Sequence, residues 1–170
     1  MLKAAFPGSF DPPTFGHLNI IERAAALFDE VLVVVAENRR KKYLFPSDER
    51  IALVSDLVKP WKNVSVALCG SLIVDFLKTR DIRLLIRGVR GAGDFFYEFE
   101  ISMMNKALAK DIETIFMTTD PRYFVLRSSS IKELASFHGD VSAMVPPAVA
   151  EALKAKFGAE VNIDKNQNFE

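Results

Sequence analysis

With 170 residues and 49% hydrophobic content, the chain is long enough for one domain with a sizeable core, which excludes a disordered chain. Lys plus Arg and Asp plus Glu balance at 22 each, so a general nucleic-acid coat is excluded, while a local basic pocket for a phosphorylated small molecule is not. The single cysteine, Cys69, forbids an internal disulfide, and no apolar run approaches the length of a membrane span.

The chain opens on a strand, with no basic start leading into an apolar signal core, so the expectation is a soluble cytoplasmic protein without membrane or nucleic-acid partners. Short aliphatic runs with little polar alternation predict strands at Leu2–Phe6, Val31–Ala36, Val64–Leu68, Arg83–Ile86 and Thr114–Met117. Helical spacing fills the gaps. Leu18, Ile21, Ala25 and Phe28 repeat on one face. Ser47 is placed to cap a second helix, with Asp48 and Glu49 in its first turn and Ile51, Val54, Leu57 and Val58 inside. Ser71 starts a third, and a longer one covers about 94–110. Ser130 and Glu133 have capping-box spacing, with Gly139 as the stop; Pro146 and Pro147 open a last helix that Gly158 closes. Cys69, beside Gly70, reads as a buried structural thiol.

Strands alternating with helices predict an α/β fold: a single-domain, Rossmann-like, doubly wound five-stranded parallel sheet with helices on both faces. The domain is expected to span 1–157, with residues 158–170 a polar, flexible tail. Ligands of such sheets bind beyond the carboxyl ends of the strands, so the loops after strands carry the interest.

The first such loop, Pro7–His17, is neither a P-loop nor the dinucleotide fingerprint. Gly8 and Gly16 allow close backbone approach, a helix N-terminus offers free N–H groups, and Ser9 and His17 supply donors. Alone, the segment says only that a phosphate is held at a helix start. The second loop runs Asn38-Arg39-Arg40-Lys41-Lys42, which is either a solvated surface or a phosphate-facing cluster. The fourth strand leads into Arg87-Gly88-Val89-Arg90, followed by Asp94 and Glu98, which offers either bidentate phosphate contacts or ion pairs with those carboxylates. After the fifth strand, Ser128, Ser129 and Ser130 precede Lys132 at a helix start.

Thr14-Phe15-Gly16-His17 matches the (His/Thr)-x-Gly-His signature of the nucleotidyltransferase superfamily. The fuller string Pro7–His17, together with Leu85-Ile86-Arg87-Gly88-x-Arg90 and Tyr97-Glu98, resembles the bacterial phosphopantetheine adenylyltransferases over residues 1–157. The resemblance implies AMP transfer from ATP to 4′-phosphopantetheine, giving dephospho-CoA and pyrophosphate by in-line attack without a covalent enzyme intermediate. It implies catalytic roles for His17, Lys41, Arg90 and Ser129, with Lys42 the alternative to Lys41. ATP would meet Ser9, Phe10, His17, Gly88, Val89, Arg90, Glu98, Tyr123, Ser128 and Ser129; phosphopantetheine would meet Ser9, Lys41, Ile73 and Arg87. No carboxylate cage is visible, so Mg²⁺ would ride mainly on the ATP phosphates. The family also implies a homohexamer of two trimers and feedback by CoA. The stripe Phe95, Phe96, Tyr97, Phe99, Met103 and Met104 is a contact surface on that view, and core on the other. Arg127 stands where the family carries a serine.

Overall fold

The computed structural model describes residues 1–160, with side chains to residue 158. Five strands form one parallel sheet: β1 (Lys3–Gly8), β2 (Glu30–Ala36), β3 (Val64–Cys69), β4 (Leu84–Val89) and β5 (Glu113–Thr118). Their order is β3-β2-β1-β4-β5, so the chain winds outward from β1 to one side and then crosses back to the other. The helices are α1 (Phe15–Leu27), α2 (Ser47–Val58), α3 (Ile73–Lys78), α4 (Ala92–Leu108), α5 (Ser128–Ser136) and α6 (Pro147–Glu160).

Alternate strand residues feed opposite faces, which is why the runs read as unbroken apolar sequence. Ala4, Phe6, Val33, Val35 and Ile86 pack with Ile20, Ile21 and Ala24 of α1 and Val54 and Val58 of α2. Ala5, Val34 and Leu85 pack on the other side with Val74, Leu77 and Ile112. A third cluster joins Phe45 and Leu126 to Ile131 of α5 and Val149 and Leu153 of α6. Full burial of each Val, Leu, Ile or Phe among these stabilises the fold by roughly 1.5–3 kcal/mol. The doubly wound parallel sheet predicted from the sequence is therefore the fold observed.

Several boundaries differ from expectation. β1 continues through Pro7 and Gly8, and β4 through Arg87, Gly88 and Val89, because β4 keeps its register with β5 as far as Val89↔Thr118. Pro46, not Ser47, is the N-cap of α2, and Ser47 makes no capping bond. Leu72 is extended, so α3 begins at Ile73 rather than at Ser71. Ser130 lies inside α5, whose N-cap is Arg127, so the Ser130–Glu133 capping box does not form. That helix ends through His138 at φ 60, with the His138 and Gly139 N–H groups donating to the carbonyls of Ala135 and Leu134; Gly139 itself is not the left-handed residue. Gly158 does not close α6, which runs on to Glu160, so the expected boundary at 157/158 falls inside a helix, and tail residues 161–170 lie outside the described residues. Cys69 is buried at the end of β3. Phe96, Tyr97, Met103 and Met104 on α4 are each more than half exposed in the single chain, so the reading of that stripe as core does not hold.

Candidate active site

The pairing of β1 with β4 covers only Ala4↔Leu84 and Ala5↔Leu85, whereas β1 and β2 stay paired from Lys3↔Glu30 to Gly8↔Val35. Pro7 brings no N–H to the ladder. This is the point where strand order reverses, and a cavity of about 500 Å³ opens there. It gathers residues from all four segments singled out in the sequence: Gly8, Ser9 and His17; Lys41; Arg87, Gly88, Arg90 and Glu98; and Arg127, Ser128 and Ser129.

His17 owes its state to its own helix. Thr14 is the N-cap of α1 and is almost fully buried. Its hydroxyl accepts from the His17 N–H at 3.4 Å, and its backbone N–H donates to His17 Nδ1 at 3.0 Å. A nitrogen that accepts a backbone N–H carries no proton, so the neutral ring must carry it on Nε2. The ring packs 5.0 Å from Phe10. Burial, followed by the charge of Arg90, lowers the His17 pKa from 6.5 to about 4. At neutral pH the cavity therefore meets an uncharged Nε2–H donor and not a general base.

Beneath it, Gly8 lies close to the ring of Phe10, itself fully buried with φ 46: a Cβ at position 8 would sit 3.0 Å from that ring, so any side chain there would push the ring on which His17 rests by a few tenths of an ångström.

The charged side chains come in pairs that fix orientation. Arg87 Nε donates to Glu98 Oε2 at 2.6 Å and its Nη1 to the Pro7 carbonyl at 3.3 Å. Arg90 Nε donates to Asp94 Oδ2 at 2.7 Å and its Nη1 to the Leu126 carbonyl at 2.9 Å. Ion pairing with Glu98 and Asp94 leaves donors to spare, because each Nη2 has no hydrogen-bond partner among the described residues. Lys132 Nζ pairs with Asp11 at 2.6 Å. The lining holds five Lys and Arg (Lys41, Arg87, Arg90, Arg127, Lys132) against three carboxylates, Asp11, Asp94 and Glu98. The surplus positive charge rests on Lys41 and Arg127, which have no carboxylate partner among the described residues. The first turns of α1 and α5 carry no acid, so their N-terminal partial charges face the site uncancelled.

Four residues expected at the site are not in the lining. Phe10 supports His17 from below; Val89 is buried in β4; Tyr123 lies against Phe15 at 6.3 Å; and Ile73 packs with the cluster around Val74 and Leu77. Lys41 and Lys42 are both exposed, and of the two Lys41 lines the cavity. Sequence reading passed over Asp11, which accepts from the N–H groups of Leu44 and Phe45 as well as from Lys132. It also passed over Arg50, fully buried on α2. The second had a signal: Arg50, Val54 and Val58 fall four apart on one helical stripe.

Among the described residues, no three His, Cys, Asp or Glu side chains gather as a metal-binding set, and each cavity carboxylate is already taken by a cation. No described helix is long and apolar enough to cross a membrane.

Comparison with known proteins agrees with the geometry. A family profile described as "Cytidylyltransferase-like" matches residues 5–134. A phosphopantetheine adenylyltransferase of Geotalea daltonii is 46% identical over 154 residues, covering 91% of this chain and 96% of the relative. One of Dictyoglomus thermophilum is 45% identical over 160 residues, covering 94% and 98%. A solved structure described as a candidate nicotinate-nucleotide adenylyltransferase from Vibrio parahaemolyticus superposes with a TM-score of 0.66 at 20% identity, over 91% of this chain and 93% of that one. That likeness concerns the fold alone.

Proposed function

The chain belongs to the phosphopantetheine adenylyltransferases, and on that footing we propose that it transfers AMP from ATP to 4′-phosphopantetheine, giving dephospho-CoA and pyrophosphate. The observation that carries this reading is His17 held as a neutral Nε2–H donor at a cavity with surplus positive charge. Such a site suits a phosphoryl centre on which negative charge builds.

In this reading the terminal phosphate of phosphopantetheine attacks the α-phosphate of ATP in line, and the bond from that phosphorus to the bridging oxygen of pyrophosphate breaks. The attacking group is already an anion, so no base is needed and no covalent enzyme intermediate forms. Arg87, Lys41 and Ser9 hold the acceptor phosphate. His17, Arg90, Ser128 and Ser129 hold the ATP phosphates, and Gly88 gives them room. Glu98 keeps Arg87 aimed. A divalent cation, Mg²⁺ in this reading, would supply neutralisation of charge on the leaving pyrophosphate; no free set of carboxylates among the described residues would hold it, so its ligands would come mainly from ATP. The exposed Phe96, Tyr97, Met103 and Met104 form an apolar face that supports assembly of copies of this chain into the homohexamer the family suggests. ATP as donor points to the cytoplasm, and CoA, sharing the product's chemistry, would compete for the same cavity.

A panel of acceptors assayed for pyrophosphate release tests the assignment. Turnover with 4′-phosphopantetheine and not with nicotinate mononucleotide or glycerol 3-phosphate is expected; the reverse preference would refute it. Arg87→Ala is expected to weaken 4′-phosphopantetheine binding roughly 10- to 100-fold, the worth of a charged hydrogen-bonding group, with ATP affinity nearly unchanged. Calorimetry showing unaltered acceptor affinity would remove Arg87 from that role. Arg127→Ser restores the residue of the family pattern and takes away one of the two unpaired cations. It should raise the KM for ATP by roughly 3- to 10-fold and flatten its salt dependence. An unchanged KM would mean that Arg127 faces away from the nucleotide.

A further inference from the structure

Arg50 is fully buried, and a guanidinium cannot shed its charge. Its Nε donates to the Phe45 carbonyl at 3.1 Å, and its Nη1 donates to the Ser9 carbonyl at 2.8 Å and the Ala36 carbonyl at 3.0 Å. Nη2 has no hydrogen-bond partner, with Glu37 Oε1 at 3.8 Å. The guanidinium carbon lies 4.0 Å from the centroid of the Tyr43 ring, and Lys41 Nζ lies 5.6 Å from that same centroid. The Tyr43 hydroxyl accepts from the Asn38 N–H at 2.9 Å.

For stability alone, an apolar side chain of that volume would fill the space as well, because the desolvation cost of a buried cation with an orphan donor is only partly offset by three carbonyl bonds, a ring face and a distant carboxylate. What an apolar side chain would not do is join three separate segments. Ser9 belongs to the loop after β1, Ala36 ends β2, and Phe45 closes the basic loop that holds Lys41. Arg50 ties all three carbonyls to one rigid plane, and that plane carries the ring beneath Lys41. Among the described residues, no hydrogen bond or ion pair of Arg50 reaches Arg90 or the start of α5.

We propose that Arg50 is a positioning residue for the transfer reaction: through Ser9 and through the Tyr43 platform it sets where the acceptor phosphate meets Lys41. The inference rests on the adenylyl-transfer reading of the cavity. Lysine keeps the charge but has a flexible stem and no planar fork, so it cannot serve three carbonyls and a ring face together.

The test is steady-state kinetics on the full chain with ATP, 4′-phosphopantetheine and Mg²⁺, normalised to the folded fraction from thermal melts. Arg50→Lys is expected to lower kcat roughly 10- to 100-fold, the scale of a misplacement of about 1 Å. The KM for ATP should move by no more than about twofold, since no hydrogen bond of Arg50 reaches Arg90, Ser128 or Ser129, the groups assigned to the triphosphate. Wild-type kcat in folded Arg50→Lys would overturn the proposal. A variant that is only less stable, with unchanged kcat per folded molecule, would do the same. Should Arg50→Lys fail to fold, Tyr43 decides. Tyr43→Leu, which removes the platform, should lower kcat by about 2- to 30-fold, and Tyr43→Phe, which keeps the ring, should recover most of it. Equal kcat in the two variants would overturn the proposal. A wild-type chain that releases no pyrophosphate would instead defeat the transfer reading itself, which separates the two failures.

Discussion

His17→Ala lowers kcat by roughly 10²–10³-fold while KM for either substrate changes far less, because the Nε2–H bond strengthens as charge builds on the transferred phosphoryl group. The expectation follows from the Thr14–His17 capping box. The backbone N–H of Thr14 occupies Nδ1, which leaves Nε2 as the protonated nitrogen, and burial with Arg90 nearby keeps the ring neutral to about pH 4. A direct check is the imidazole ¹⁵N spectrum of the free protein, which needs to resolve only His17 and the exposed His138. His17 should show the Nε2–H tautomer and reach half-protonation only at about pH 4, well below the ordinary imidazole value of 6.5. The same shift has a consequence for stability. Between about pH 6.5 and 4 the unfolded chain takes up a proton at residue 17 that the folded chain refuses, so this group makes stability fall as the pH drops through that window. A His17 that titrates near 6.5, or a His17→Ala variant with near-normal kcat, would remove its proposed role.

Asp11→Ala destabilises the fold by about 2–4 kcal/mol, chiefly from stranding buried N–H groups while the partly exposed Lys132 turns to solvent, and lowers Tm by about 4–16 °C for a domain of this size. Asp11 is 1% exposed and takes bonds from the N–H groups of Leu44 and Phe45 and from Lys132 Nζ. Removing the carboxylate takes the acceptor from all three donors at once, two of them on the loop that carries Lys41 and one on α5. Activity should therefore fall by more than the loss of folded protein explains. Asp11→Asn keeps the shape and an acceptor oxygen and should recover part of the stability. Chemical denaturation that finds Asp11→Ala within about 1 kcal/mol of wild type would show that solvent or Ser128, whose hydroxyl already donates to the Pro12 carbonyl, satisfies the orphaned groups.

The sheet was legible in the sequence because parallel strands covered on both faces need unbroken apolar runs, and Val31–Ala36 is such a run. The cavity was legible as far as its loops follow strand ends and carry glycine, arginine and serine. The helix caps were read less well. Capping depends on backbone angles that a serine does not dictate: Ser47, Ser71 and Ser130 all look like caps, while Pro46, Leu72 and Arg127 hold the N-cap positions of α2, α3 and α5. The one cap that matters to the chemistry, Thr14, was hidden because its capping-box partner is a histidine and not the usual Glu or Gln. Asp11 and Arg50 were missed for another reason. Asp11 meets Leu44 and Lys132, 33 and 121 residues away, and such bonds leave no local pattern; for Arg50 the helical stripe with Val54 and Val58 marked it as inward-facing, but its bond to Ser9, 41 residues away, was not visible.

Mass spectrometry of the products formed by the wild-type chain from ATP and 4′-phosphopantetheine with Mg²⁺ tests the central claim most directly. Dephospho-CoA and pyrophosphate in equal amounts, both greatly slowed in His17→Ala, are the predicted result. ATP consumed to ADP or to AMP with the 4′-phosphopantetheine left unmodified would contradict it.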